Sequence, residues 1–294
     1  MTKELEVKKA IIPVAGLGTR FLPLSKSLPK EFFPLVDKPI IQYIIEEVKK
    51  SGIEEIVFVV SPKQKMILEH FKKSPEIEKF LAKRNKPAIL KEFKEFEELF
   101  EGLTFSFVTQ KEPLGDGHAI LQGASKVKGQ PIAVSLGDDI IDSDTPAILQ
   151  LINIFKTCSA PVVALKELPR DKVPAYGSVA VEKIAHNLYK IKKIIEKPTP
   201  EEIPSNLVIV GKYILTPDVF SYLKKAEPSK KGEIILAEVL DKMLNDGKTI
   251  YGYELKGEWL ECGDKLKWLK SFMYFALKDP RYSEELKRYI KTIK

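Results

Sequence analysis

The run Ala15-Gly16-Leu17-Gly18-Thr19-Arg20 carries two glycines one residue apart directly after an apolar segment, Lys9 to Val14. Glycines in such a place let the backbone come close to a ligand and aim N–H groups at phosphate oxygens. A dinucleotide fingerprint would need a third glycine where Phe21 stands, and a Walker loop would need Gly-Lys-Ser/Thr, which this stretch lacks. A train of cations follows instead: Arg20, Lys26 and Lys30. A guanidinium can grip phosphate oxygens bidentately, and a lysine ammonium can follow charge as it moves. Together they suit a polyphosphate whose terminal part must leave. A tight turn carrying solvated cations accounts for the same residues without chemistry.

Two further stations could serve such a ligand. Leu136-Gly137-Asp138-Asp139 follows an apolar run, so its carboxylates fall at the carboxyl end of an expected strand, where α/β ligand sites gather. Mg²⁺ prefers one or two carboxylates completed by phosphate oxygens and water, though an Asp-Asp turn can equally be a helix cap or an exposed loop. Ile195-Glu196-Lys197-Pro198 places beside a lysine a carboxylate able to accept from vicinal hydroxyls; alone, this is a common exposed turn. Gln110, before Gly115-Asp116-Gly117-His118, offers one donor and one acceptor to a base edge, and pairs with adenine as readily as with a pyrimidine. His118 is expected to be structural, at a helix start.

These stations need a scaffold that brings them together. Ile40 to Lys50 has helical periodicity, with Ile41, Ile44, Ile45 and Val48 on one face, and Ile56 to Val60 is an apolar run suited to a strand covered on both sides. This β-loop-α-β order opens a parallel, helix-flanked sheet. Residues 64–100 read as an excursion of two or three charged helices. Strands are expected at Thr104–Val108, Ile132–Leu136, Pro161–Leu165, Ser178–Val181, Leu188–Ile195, Leu207–Leu215 and Ile250–Glu254. Helices are expected at Ala119–Ser125, Thr145–Lys156, Pro217–Ala226, Ile234–Asn245 and from Lys265 onward. The chain is α/β throughout, with no internal repeat, low-complexity linker or clear domain boundary.

Composition narrows the function classes. Hydrophobic residues make up 44% of the 294, enough for a large core, and charged residues 30%. The two cysteines, Cys158 and Cys262, are far apart and match no metal spacing, which points to a reduced, cytoplasmic protein. No apolar run reaches the ~18–20 residues of a membrane helix, and Met1 to Lys9 lacks the apolar stretch of a signal peptide. A net charge of +7 could suggest nucleic acid, but the lysines are spread along the chain, many beside glutamates as in Lys91 to Glu98. No strand alternates aromatic and basic residues, so neither nucleic acid nor membrane is expected as a partner.

The run AGLGTRFLPLSKSLPKEFFPLVDKP, Ala15 to Pro39, resembles the signature region of bacterial UTP–glucose-1-phosphate uridylyltransferases, in the sugar-nucleotide pyrophosphorylase family. The likeness continues in order through most of the chain. It takes in Gln110 to Ala119, Leu136 to Asp139, Ala175-Tyr176-Gly177, Ile195 to Pro198, Val210 to Tyr213 and Glu261-Cys262-Gly263. It implies a Rossmann-like three-layer α/β/α nucleotidyltransferase fold with a mixed, mostly parallel central sheet. Residues 1–294 would form one domain, with the helical excursion at 64–100 and a C-terminal helical segment at 265–294.

The resemblance also implies roles. Arg20 and Lys30 would bind the triphosphate and the departing pyrophosphate. The backbone at Ala15, Gly16 and Gly18, with Gln110 and Gly115, would meet the nucleotide. Asp138 would ligate Mg²⁺; relatives carry an aspartate where this chain has Glu261, which would be the second ligand. Asp139, Gly177, Glu196 and Lys197 would hold the sugar phosphate. The implied reaction joins UTP to glucose 1-phosphate by direct in-line transfer, giving UDP-glucose and pyrophosphate, in a homo-oligomer (dimer or tetramer). Thr109 and Asp116 depart from the family's base loop, and Ile235 and Ala237 lose side chains that could assist the site. Acceptance of a 5-methyl group depends on pocket shape, so dTTP or another nucleotide stays open, and the substitutions at Asp116, Ile235 and Glu261 keep open an inactive nucleotide-sugar-binding homologue.

Overall fold

The structure is a computed structural model that describes residues 6–62 and 66–293. The first five residues of the N-terminal segment, residues 64 and 65 at the start of the expected excursion, and Lys294 lie outside them. The strands are β1 Lys9–Pro13, β2 Pro34–Leu35, β3 Lys38–Pro39, β4 Glu55–Val60, β5 Thr104–Thr109, β6 Ile132–Ser135, β7 Asp139–Asp142, β8 Val162–Glu167, β9 Gly177–Ala185, β10 Leu188–Glu196, β11 Leu207–Leu215, β12 Tyr251–Glu254 and β13 Glu258–Glu261.

Among the described residues, nine of these form one sheet in the order β5-β4-β1-β6-β11-β8-β12-β10-β9. The half built from β5, β4, β1 and β6 is parallel throughout, as its helix crossovers require. Strand β11 then runs antiparallel to both β6 and β8, β12 pairs parallel with β8, and β10 pairs antiparallel with β12 and β9. The sheet is therefore mixed, and the parallel character expected of most of it is concentrated in its first half. The hairpin of β9 and β10 has only a two-residue connection, too short for the crossover that a parallel pair needs.

Alternate side chains of each strand feed two cores. Ala10, Ile12, Ile56, Phe58 and Val60 pack on one face with the helices Ile40–Lys50 and Ala147–Cys158. Ile11, Val57 and Val59 pack on the other with Asp116–Gln122, Val219–Lys225 and Leu236–Asn245. Ile40, Ile41, Ile44, Ile45 and Val48 are fully buried, each worth on the order of 2 kcal/mol in transfer from water. The excursion forms helices Met66–Phe71, Pro75–Lys83 and Pro87–Glu98. It is fastened by Phe71, which stacks on Phe58 and Phe105. On the C-terminal helix Lys265–Lys278, Phe272 and Phe275 pack on the first core, whereas Leu266 and Leu269 are exposed. No helix among the described residues is long and apolar enough to cross a membrane.

Candidate active site

The cation loop leaves β1 and is pinned from below. Two short 3-10 turns, Thr19–Phe21 and Lys30–Phe32, carry Arg20 and Lys30. Their anchors, Phe21 and Phe33, are buried and meet edge to face, ring centres 4.7 Å apart. Burying the aromatic neighbours forces both cations outward into a cavity of about 660 Å³, a size that suits a nucleotide-scale ligand. Gly18 takes a left-handed backbone, φ +60°. The Cβ direction of Gly16 is open, with no atom within 4 Å, so a ligand can lie against its backbone.

The opposite wall is acidic. Strand β7 pairs antiparallel with β13, setting Asp139 opposite Glu261, and the Cys262 N–H donates to the Asp138 carbonyl at 2.8 Å. A methyl group built on Gly263 would stand 3.1 Å from Glu261 Oε1, 3.3 Å from Asp138 Oδ2 and 3.5 Å from Arg20 Nη1. Both carboxylates and the guanidinium therefore border one gap. Each acid holds a lysine: Asp138 pairs with Lys30, and Glu261 Oε1 lies 2.8 Å from Lys267 Nζ. Burial lowers the Lys30 pKa, but Asp138 and Glu31 outweigh it and the net shift is upward. Burial, then the charges of Asp138 and Glu261, push the Asp139 carboxyl well up, although Trp259 Nε1 donates to it at 2.8 Å. Perturbed acids clustered in a cleft mark functional sites.

The donor set fits Mg²⁺. Two carboxylates beside the cations Arg20 and Lys30 match an ion that completes its shell with phosphate oxygens and water. Among the described residues no group of three or more His, Cys, Asp or Glu could hold a metal. Asp138 and Glu261 are the residues that would hold it.

Glu196 and Lys197 close the site at the end of β10. Gly177, opposite Glu196 across the β9–β10 pair, leaves room for that carboxylate: a Cβ there would stand 3.0 Å from Glu196 Oε2. Lys197 adopts a left-handed backbone, φ +49°, an uncommon choice for a side chain with a Cβ, and its N–H donates to the Tyr176 carbonyl at 3.0 Å. The turn aims its half-exposed ammonium along the cavity wall, 3.3 Å from Glu196 Oε1.

The expected base station is placed differently. Gly16, Gly18, Gly115, Arg20, Lys30, Asp138, Asp139, Gly177, Glu196, Lys197 and Glu261 all line the cavity, while Ala15 and Gln110 are buried behind its wall. Gln110 Nε2 donates to the Gly115 carbonyl at 3.1 Å and lies 2.9 Å from His118 Nδ1, so its donor is spent on shaping the loop. Gly115, φ +96°, is required by the protein itself, since a Cβ would meet the Ile234 carbonyl oxygen at 2.4 Å. Asp116 acts structurally, because its Oδ1 accepts from the N–H of Gly117 and of Leu236 and so ties two helix starts together. Ile235 and Ala237, departures expected to weaken the site, do line the cavity.

Sequence reasoning names Tyr176 only within a family-like run and misses Trp259 and Lys267; all three line the same cavity. Lys212 stands out in the sequence only as part of a family-like run; it is fully buried, 2.9 Å from Glu47 Oε2 and 3.0 Å from Ser135 Oγ, beneath the acidic wall. A lysine inside the β-branched run of β11 is the one available signal, because a buried charge needs a partner.

Comparison with known proteins shows the family to which the chain belongs. The sequence model of a family described as nucleotidyl transferase matches residues 9–276. The UTP–glucose-1-phosphate uridylyltransferase of Staphylococcus epidermidis (strain ATCC 35984) is 39% identical over 288 residues, covering 98% of this chain and 99% of its own. UTP–glucose-1-phosphate uridylyltransferase 1 of Staphylococcus saprophyticus is 40% identical over 289 residues, again 98% and 99%. Among solved structures, UTP-bound UGPase from Acinetobacter baumannii superimposes with a TM-score of 0.88 at 33% identity, covering 98% of this chain and 100% of that one. A UDP-glucose pyrophosphorylase complexed with UDP-glucose gives 0.84 at 35%, covering 93% and 100%.

Proposed function

The chain belongs to the nucleotidyl transferase family, alongside the UTP–glucose-1-phosphate uridylyltransferases, and we propose that it converts UTP and glucose 1-phosphate to UDP-glucose and pyrophosphate. The observation that carries this reading is the single cavity where Arg20, Lys30, Asp138, Glu261, Glu196 and Lys197 converge.

The proposed reaction is direct in-line transfer. A phosphate oxygen of glucose 1-phosphate attacks the α-phosphorus of UTP, the bond to the β-phosphate bridging oxygen breaks, and pyrophosphate departs. Lys197 holds the sugar phosphate, and Glu196 accepts from the sugar hydroxyls. Arg20 and Lys30 stand where the leaving pyrophosphate gathers charge, so they favour the transition state over the ground state. Mg²⁺, held by Asp138 and Glu261, would neutralise phosphate charge when bound. No side chain is asked to move a proton, and alignment with charge neutralisation supplies the catalysis. His118 plays no part in the chemistry, since its ring is held between the Gln110 and Gln122 amides.

The finer architecture proposed is a single three-layer α/β/α domain, its helices covering both faces of the sheet. The exposed Leu266 and Leu269 on the C-terminal helix favour a homo-oligomer, and the two free cysteines favour the cytoplasm. Phosphorus NMR of UTP and glucose 1-phosphate with the protein and Mg²⁺ tests the reaction. It should show UDP-glucose and pyrophosphate appearing together, and EDTA should stop both. Pyrophosphate released without UDP-glucose would contradict transfer to the sugar.

A further inference from the structure

Lys267 belongs to none of the roles the resemblance implies, yet it lines the same cavity. It sits in the first turn of the helix Lys265–Lys278, and its N–H donates to the capping carboxylate of Asp264 at 3.0 Å, which fixes the backbone from which its side chain extends. Its Nζ lies 2.8 Å from Glu261 Oε1, 2.9 Å from the Tyr176 hydroxyl and 3.5 Å from Asp264 Oδ2. The same ammonium stands 4.8 Å from the centre of the Tyr176 ring.

Two features make this more than a structural ion pair. Tyr176 is the residue whose carbonyl holds the Lys197 turn, so Lys267 faces the sugar-phosphate side of the gap. The Glu261 carboxylate also lines the cavity, and without restraint its flexible side chain would reach further into it. Tyr176 and Lys267 are the groups that hold it back, both bonded to its carboxylate. A cation held by Glu261 would compete directly with Lys267. The freed ammonium, on a flexible four-carbon stem with three donors, needs a new anion.

Resting on the reading that this cavity takes glucose 1-phosphate, we propose that Lys267 is a further substrate-binding residue. It restrains Glu261 at the cavity wall before a divalent cation binds. It then passes to a non-bridging phosphate oxygen of glucose 1-phosphate when Glu261 turns to that cation. The step is an exchange of ion pairs and breaks no covalent bond.

The test compares the wild type with Lys267→Met, which keeps the aliphatic stem, and Lys267→Arg, which keeps the charge. Steady-state kinetics should show Lys267→Met raising the KM for glucose 1-phosphate at least tenfold while the KM for UTP stays within about twofold. Lys267→Arg should recover most of that loss. Mn²⁺ binding to the substrate-free protein, followed by electron paramagnetic resonance, should tighten several-fold in Lys267→Met because Glu261 is released. An unchanged KM for glucose 1-phosphate would overturn the substrate contact, and unchanged or weaker Mn²⁺ binding would overturn the restraint of Glu261. If the wild type itself failed to turn over UTP and glucose 1-phosphate, the functional reading would fall. The Mn²⁺ comparison would still decide whether Lys267 competes for Glu261.

Discussion

Asp139 and Glu261 stand opposite each other across the antiparallel pair of β7 and β13. The pairing places two acids from distant parts of the chain on one wall and carries Asp138 with them. Register is unforgiving here, because a slip of one residue would send every side chain of the strand to the other face. The Trp259 bond to Asp139 and the Cys262 N–H on the Asp138 carbonyl lock it.

From that wall comes the first expectation. Asp138→Asn keeps the size of the side chain but removes the charge that Lys30 and the metal would share. Turnover in saturating Mg²⁺ should fall at least a hundredfold, with the melting temperature within a few degrees of the wild type. Wild-type kinetics in this variant would remove Asp138 from the metal assignment.

On the other side of the cavity, Lys197→Ala should act chiefly on the sugar phosphate. The KM for glucose 1-phosphate should rise tenfold or more, with a smaller change for UTP, as measured by initial rates with each substrate varied. Because Lys197 holds a left-handed backbone, Lys197→Gly should fold at least as stably while showing the same kinetic defect. Equal losses for both substrates would mean that the lysine only supports the loop.

Beneath the wall, Lys212 and Glu47 form a buried ion pair, and Glu47 Oε1 also accepts the Ile148 N–H. Lys212→Met leaves the Glu47 charge without its partner and should destabilise the fold by about 3–5 kcal/mol. Adding Glu47→Gln should recover a good part of that loss, since a neutral amide tolerates burial better. Urea denaturation of the single and double variants measures both. A single variant within about 1 kcal/mol of wild type would contradict the pair's importance.

Much of this organisation is legible in the sequence. The helix Ile40–Lys50 and strand Leu207–Leu215 are readable to the residue, the first from its helical periodicity and the second from a nearly continuous apolar run. The cation loop, the Asp138 turn and the Glu196-Lys197 turn are readable from residue type, and the fold brings them to one cavity. Strands β7 and β13 are not, because four residues carry too little periodicity, and β7 starts inside what reads as an Asp-Asp turn. The role of Gln110 is also hidden, since an amide that pairs with Gly115 and His118 looks the same in sequence as one that faces a ligand. Lys267 is hidden because a lysine in a lysine-rich helix start reads as solvated surface.

Asp116 gives a pH signature. Burial raises its carboxyl from an ordinary value of 3.8 to about 6, against backbone N–H groups, those of Leu236 and Gly117 foremost, that lower it. The folded chain therefore holds this proton more tightly than the unfolded chain does. The contribution of this group to stability is most favourable below the unfolded value and is lost as pH rises through about 6, roughly 3 kcal/mol in all. Asp116→Asn keeps an oxygen for both N–H donors and carries no charge. Its melting temperature should exceed that of the wild type at about pH 7.5, and the gain should vanish near about pH 3.5. A variant less stable than wild type at the higher pH would show that the charged form is the one the site prefers.

The most direct test of the central claim is pyrophosphate release in Mg²⁺ with UTP, dTTP, ATP, CTP and GTP, each offered with glucose 1-phosphate. The account predicts turnover with UTP well above that with any other nucleotide. Preference for a different nucleotide, or release from none of them, would contradict it.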